Sequence, residues 1–280
     1  MSRRTKKDIY REYGIEFNGS QIKTPFGNWV APLLAKGNTK IGKGAVTFSI
    51  MHGNEIYTRD SFRFDDIKEV FDITGCDAVK GSCPCPCDKC YCDSANYTMY
   101  STAYKSNLFK LILARTFPDF VRRAITAQII ADKIKQCRIH AAGDFFSEVY
   151  ANVWQDIIQD CPDCIFWTYT KEATAVHAFD TLENVTVVPS ITPAGINFGT
   201  CAELLEMRKK LLNSGYRVHV CACGTPYEKH CCDCSHGCKA IGTECDYVIF
   251  IKHSCTDYKA GKTDPAEYEK IVEIIKSQNN

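Results

Sequence analysis

The sequence predicts an α/β fold: a parallel (β/α) barrel-like arrangement, akin to a partial TIM barrel, with two cysteine-rich metal-binding loops. Three observations predict it. From residue 137 onward, short apolar β-branched runs alternate with amphipathic helical segments at least four times, the pattern of buried parallel strands joined by helices. The 280 residues, 45% of them hydrophobic, suffice for one sizeable core. The eighteen cysteines are bunched rather than spread, which suits metal ligands better than a disulfide scaffold. An open doubly wound sheet shares the alternation, and in both architectures functional sites gather at the carboxyl ends of the strands.

Each element has its own signal. The whole chain, 1–280, reads as one domain, with 1–43 as an N-terminal arm and lead-in. "GAVTFSI" (44–50) alternates and is β-branched, hence a strand. Residues 97–136 carry apolar positions at helical spacing, and Pro118 marks a break between two helices. "CRIHAA" (137–142) is a buried strand. Ser147 caps a helix whose Val149, Tyr150, Val153, Trp154, Ile157 and Ile158 form one stripe. "CIFWTYT" (164–170) is a strand, 172–181 a short helix and "VTVVPSIT" (185–192) another strand. Thr200 and Glu203 make a capping box for a helix that ends before Gly215. "YRVHVC" (216–221) and "YVIFIKH" (247–253) are strands on either side of a long cysteine-rich loop, 222–246. Asp264, Pro265 and Glu267 open a last amphipathic helix.

A formal net charge of +1 gives no global attraction to polyanions. The locally basic start, "MSRRTKKDIYRE", reads as a solvated arm. It has no apolar export segment, and no run of about eighteen apolar residues occurs. The expectation is a cytoplasmic protein whose thiols stay reduced.

The first cysteine loop, 80–97, holds Cys83, Cys85, Cys87, Cys90 and Cys92 within ten positions. Cys83, Cys87 and Cys90 form C-x3-C-x2-C, a spacing that lets three thiolates hold three irons of a [4Fe–4S] cube and leave the fourth open. Cys85 and Cys92 offer other triplets or a fourth ligand. Zinc is the alternative metal for closely spaced thiolates. The second cluster, within 221–246, gives C-x2-C-x3-C at Cys231, Cys234 and Cys238, with Cys221 or Cys223 upstream and His230 and His236 nearby. An auxiliary iron–sulfur cluster or a zinc knuckle fits there, and the metal would supply the fold of a loop without a core.

"RIHAAGDFFSEVY" places Gly143 and Asp144 after a strand. A glycine lets a ligand approach the backbone, and a carboxylate can bind an amino group. Lys171 follows "FWTYT" and either faces the same mouth or lies on the surface. His140 reads as a packed strand residue. Cys161 and Cys164 make an isolated C-x2-C, with Cys164 in the strand core.

The stretch 138–171 resembles a phage-encoded family of Cys-rich proteins known as gene product eighty-eight. The residues that carry the resemblance are Cys90-Tyr91, then Arg138, His140, Gly143, Asp144, Phe145, Phe146 and Ser147, then Phe166, Trp167, Tyr169, Thr170 and Lys171. Cys231, Cys234, Cys238 and the ending "FIKH" with His253 complete it. The likeness covers roughly residues 35–255. The layout is also similar to radical S-adenosylmethionine barrels: a cysteine loop, a Gly-acidic motif after the next strand, and a second cysteine cluster near the end. That similarity implies a [4Fe–4S] enzyme in which Gly143 and Asp144 contact the methionine amino group and S-adenosylmethionine is split to a radical. The competing expectations are a zinc-stabilised module that binds nucleic acid or a host protein, and an electron carrier with fully ligated clusters.

Overall fold

A computed structural model describes residues 4–37, 44–84, 100–172, 175, 178–189, 201–221, 247–250 and 265–278. The chain begins with helix α1 (Lys6–Glu12), capped by a reciprocal pair between Thr5 and Asp8. Residues 4–37 are not the solvated arm that their charges suggest. Tyr10 is fully buried and stacks on Phe17, with ring centroids 4.4 Å apart. Leu33 and Leu34 belong to the main core. Three of the basic residues are paired at home: Arg4 with Glu12, Lys6 with Asp132 and Arg11 with Asp8. Strands β1 (Ile22–Lys23) and β2 (Trp29–Val30) form an antiparallel pair. Next come β3 (Ala35–Lys36) and β4 (Val46–Thr47), also antiparallel.

A segment the sequence pattern did not single out follows. Strand β5 (Ile56–Thr58) pairs antiparallel with β6 (Ala78–Lys80). Helix α2 (Asp65–Thr74) lies between them and ends on Gly75, whose φ of 67° suits the left-handed stop that glycine permits. Its Ile67, Val70 and Phe71 are buried, at helical spacing. The long helical region then appears as α3 (Ser101–Thr116) and α4 (Pro118–Asp132), with Pro118 opening the second helix as predicted.

From β7 (Gln136–Ile139) the chain enters the alternating part. Helix α5 (Glu148–Asp160) starts where predicted, and the Ser147 hydroxyl accepts from the Tyr150 N–H at 3.2 Å, a cap worth about 1 kcal/mol. Of the predicted stripe, Tyr150, Val153, Trp154, Ile157 and Ile158 are buried while Val149 is exposed. Each such burial contributes about 1.5–3 kcal/mol. Strands β8 (Ile165–Thr170) and β9 (Val185–Pro189) follow. Of the expected short helix, 172–181, residues 172, 175 and 178–181 are described, and Ala175 and Ala178 are helical. Helix α6 (Cys201–Asn213) ends before Gly215; its expected cap, Thr200, lies outside the described residues. Strands β10 (Val218–Cys221) and β11 (Tyr247–Phe250) are parallel partners, and α7 (Pro265–Gln278) packs against α6 and β10.

The main sheet has the order β3-β4-β7-β8-β9. Its last four strands are parallel, and β3 runs antiparallel along one edge. The fold is therefore mixed α/β with a mixed sheet. Among the described residues no closed barrel forms, because β3 caps the β4 edge and β11 lies against β9 at the other side. One sheet face, with Cys137, Ile139 and Phe166, packs into the main core under α3, α4 and α5. On the other face Ala45 and Trp167 are buried together, with Tyr169 packed against them.

Candidate functional site

β4 and β7 continue to pair beyond their regular ends. Phe48 N–H donates to the Arg138 carbonyl at 3.0 Å, Ala141 N–H to Phe48 at 3.0 Å, and Ile50 N–H to Ala142 at 3.1 Å. The chain turns at His140, whose φ is 57°, and enters Gly143-Asp144 at the carboxyl edge of the sheet. Gly143 has φ 86°, and a Cβ there would stand 2.6 Å from Ile50 Cγ1 and 2.8 Å from Ser82 Oγ. Only glycine fits both the conformation and the space.

Asp144 is the centre of a buried knot. Its N–H donates to Ser82 Oγ at 3.0 Å, and that hydroxyl donates to the Met51 carbonyl at 2.6 Å. Its Oδ1 accepts from the Thr170 hydroxyl at 2.5 Å and from Phe145 N–H at 2.8 Å. Its Oδ2 accepts from Lys171 N–H at 2.9 Å. Burial pushes the carboxyl up to about 6, against the pull of these donors and of the Lys171 charge. Three chain segments meet here: the start of the first cysteine loop, the turn after β7 and the end of β8.

This arrangement gives Gly143 and Asp144 a structural part in the fold besides the ligand contact that the sequence leads one to expect of them. Gly143 is filled by Ile50 and Ser82 rather than left open to a ligand. Three protein donors already occupy the Asp144 carboxylate, so little remains with which to hold an amino group.

The loop's root is fastened by a short ladder. Gly81 N–H donates to Glu55 at 2.9 Å, Ser82 N–H to Met51 at 3.2 Å and Cys83 N–H to Gly53 at 2.8 Å. Arg115 donates to the carbonyls of Lys80 and Gly81 at 3.0 and 3.2 Å, while its guanidinium lies 4.1 Å from the Phe146 ring centroid. Cys83, a half-buried thiol, thus stands at the same edge as Gly143, Asp144 and Lys171.

Cys87 and Cys90, with the alternatives Cys85 and Cys92, lie outside the described residues. So do Cys223, Cys231, Cys234 and Cys238, with His230 and His236. Among the described residues, no three His, Cys, Asp or Glu side chains gather as a metal site. Ser82 and Arg115 belong to the site but carried no sequence signal beyond their places near strand and helix ends, whereas Thr170 is among the residues that carry the family resemblance.

Two other motifs resolve into packing. His140 is buried against Phe145 and Trp154, its Nε2 is 2.9 Å from the Tyr150 hydroxyl, and burial drives the imidazole down to about 3, which keeps it neutral. Cys161 and Cys164 are buried and burial pushes both thiols up to about 12, far from a reactive thiolate. Asn184 caps that corner by donating to the carbonyls of Ile158, Cys161 and Cys164.

No helix among the described residues is long and apolar enough to cross a membrane. No solved structure matches the chain. Two curated proteins do, the Gene 88 proteins of Mycobacterium phage L5 and Mycobacterium phage D29, each 34% identical over 85 residues. These matches take in 26% of this chain and 35% of each relative, so the chain spans about a third of the length of the curated relatives it matches. They carry no indication of similarity to radical S-adenosylmethionine enzymes. The family model described as Gene product 88 matches residues 32–241, three quarters of the sequence and the whole of the knot, and the chain belongs to that family.

Proposed function

We propose that this chain is an iron–sulfur protein that carries a [4Fe–4S] cluster on the cysteines of 83–92, seated at the carboxyl edge of the parallel strands. The observation that carries the reading is the knot of Ser82, Asp144 and Thr170. It fastens the root of a five-thiol loop where ligands of parallel α/β sheets bind. The donor set fits the group: clustered thiolates select iron–sulfur clusters or zinc over oxygen-loving metals. Cys83 enters the loop from a fixed backbone position, and Cys87 and Cys90 complete the triplet.

With three thiolates one iron stays open, and S-adenosylmethionine is the cofactor proposed for it; when bound, it supplies one-electron radical chemistry. Lys171 stands at the edge to meet an anionic group of that ligand. Asp144 holds the Lys171 backbone at that edge. The second loop, with Cys223, Cys231, Cys234 and Cys238, would hold a further cluster or zinc. Of the basic residues on which the nucleic-acid reading draws, Arg4 and Lys6 are in solvent-exposed ion pairs.

The test is iron and acid-labile sulfide per chain, with an absorption spectrum, on protein purified without oxygen. A brown protein with a broad band near ~400 nm and about four to eight irons with matching sulfide is expected. Cys83→Ala should lose the cluster of the first loop. A colourless protein with zinc and no sulfide overturns the reading, and the zinc module takes its place.

A further inference from the structure

We propose that Cys161 and Cys164 are a dithiol site that a small organic disulfide converts to an intrachain disulfide bond. The site is independent of the iron–sulfur reading. It lies at the start of β8, the strand whose far end carries Thr170 of the knot. Both cysteines are free thiols. Cys161 caps the carboxyl end of α5, and Cys164 immediately precedes β8. Cys164 N–H donates to the Cys161 carbonyl at 3.0 Å, which closes Cys161-Pro162-Asp163-Cys164 as a β-turn. The first and last Cα atoms of such a turn stand within about 7 Å. A disulfide needs Cα atoms about 4.4–6.8 Å apart, so the turn brings the pair into bridging range. Asn184 donates to both carbonyls, at 3.2 Å to Cys161 and 3.1 Å to Cys164, and holds the two ends together from the segment before β9.

Both side chains turn inward and join the main core, whereas Pro162 and Asp163 at the tip are exposed. Burial first, and then the charge of Cys164, raise the Cys161 thiol, which places the two sulfurs near one another. The third buried thiol of this corner, Cys137, is excluded by register. It lies opposite Phe166, two residues beyond Cys164. Two residues along a strand and one step across the sheet separate Cα atoms by about 8 Å, beyond a disulfide's reach. Burial disfavours the attacking thiolate and keeps the pair inert until the exposed tip opens. One cysteine thiolate then attacks a sulfur of the small disulfide, forms a mixed disulfide and expels one small thiolate. The second cysteine attacks the mixed disulfide, closes the Cys161–Cys164 bond and expels the other small thiolate. The two cysteine protons end on the two released thiols, so the small disulfide is reduced as the pair is oxidised. The new bond ties the end of α5 to the start of β8.

The experiment treats the folded full chain with oxidised glutathione, quenches with acid, alkylates with iodoacetamide in urea and digests with trypsin. Cleavage after Arg138 and Lys171 releases peptide 139–171, in which Cys161 and Cys164 are the only cysteines. Before treatment this peptide carries an alkyl group on each cysteine. The expected result afterwards is a peptide with no alkyl group and a mass lower by two hydrogens, which returns to double alkylation when dithiothreitol precedes the quench. Circular dichroism of the treated chain should match that of the untreated one. A peptide that stays doubly alkylated overturns the inference. So does one that holds glutathione on a single cysteine, or one joined to the Cys137 peptide, 136–138. The same treatment in urea is the control for the turn. A bond that closes in the unfolded chain and not in the folded one overturns the inference, because local flexibility and not the folded turn would then join the pair.

Discussion

Asp144→Asn separates the charge of the buried carboxyl from its shape. Burial raises this carboxyl from 3.8 to about 6, a difference equivalent to about 3 kcal/mol. Between those values the folded chain holds more protons than the unfolded one, so this group's contribution is present at low pH and is lost as pH rises through 6. His140 acts in the opposite sense. Burial takes its imidazole from 6.5 to about 3, so folding gains up to about 5 kcal/mol as pH rises across that range. The two slopes partly cancel in the parent protein. The amide substitution removes one and leaves the other. The amide also meets Lys171 N–H with a poorer acceptor set, a pH-independent loss of about 1–3 kcal/mol. Stability measured by urea unfolding at intervals from pH 4 to pH 7 should show the variant gaining about 2.4 kcal/mol on the parent across that range, over the fixed offset. Tyr150, the other titratable neighbour, stays protonated throughout, its hydroxyl held up chiefly by burial. A difference that does not move with pH refutes the reasoning. A difference that moves the other way shows that the three donors outweigh burial and stabilise the anion.

Two further outcomes test the scaffold. Gly143→Ala should cost about 3 kcal/mol, from left-handed backbone strain of about 1–2 kcal/mol and overpacking of about 1–3 kcal/mol against Ile50 and Ser82, read as a drop in the thermal midpoint. Tyr10→Phe removes a buried hydroxyl that has no partner and should leave stability unchanged or raise it by up to about 1 kcal/mol, whereas Tyr10→Ala should cost about 3–5 kcal/mol in urea unfolding. A solvated arm would be indifferent to both.

Where a local rule governs an element, the sequence was sufficient. Ser147 caps α5, Pro118 divides α3 from α4, and Gly215 closes α6, each through chemistry confined to a few neighbouring residues. Helix α2 had such signals too: Asp65 and Asp66 in its first turn, Ile67, Val70 and Phe71 at helical spacing, and Gly75 as its stop. The charges around Ile9 and Tyr10 concealed α1, because a buried pair on a seven-residue helix makes little periodic signal. Strand order was not legible. Nothing in Ala35–Lys36 announces an antiparallel partner for β4, since pairing is a tertiary choice. The site shows the same division. Gly143 and Asp144 stood out as a pair, but their role did not, because their partners are single hydroxyls 62 and 26 residues away.

The knot also constrains where chemistry can occur. Ser82 Oγ both donates to Met51 and accepts from Asp144. Thr170 Oγ1 donates to Asp144 and accepts from Glu172 N–H at 2.9 Å. The Asp144 carboxylate takes three donors. A network so fully satisfied rigidifies a site but offers little to a substrate. On the proposed iron–sulfur reading, a ligand at this edge would therefore be held by groups outside the knot, chiefly the cysteine thiols from Cys83 onward. The knot's own task is positional: it joins the start of the cysteine loop, the turn after β7 and the end of β8. A single lost hydroxyl, Ser82→Ala, would leave Asp144 N–H without its acceptor, at about 1–3 kcal/mol. It would also remove one tie between the root of the cysteine loop and the turn after β7 while the backbone ladder of Gly81, Ser82 and Cys83 remains, so on the iron–sulfur reading metal content should fall in part in a variant whose helices remain folded.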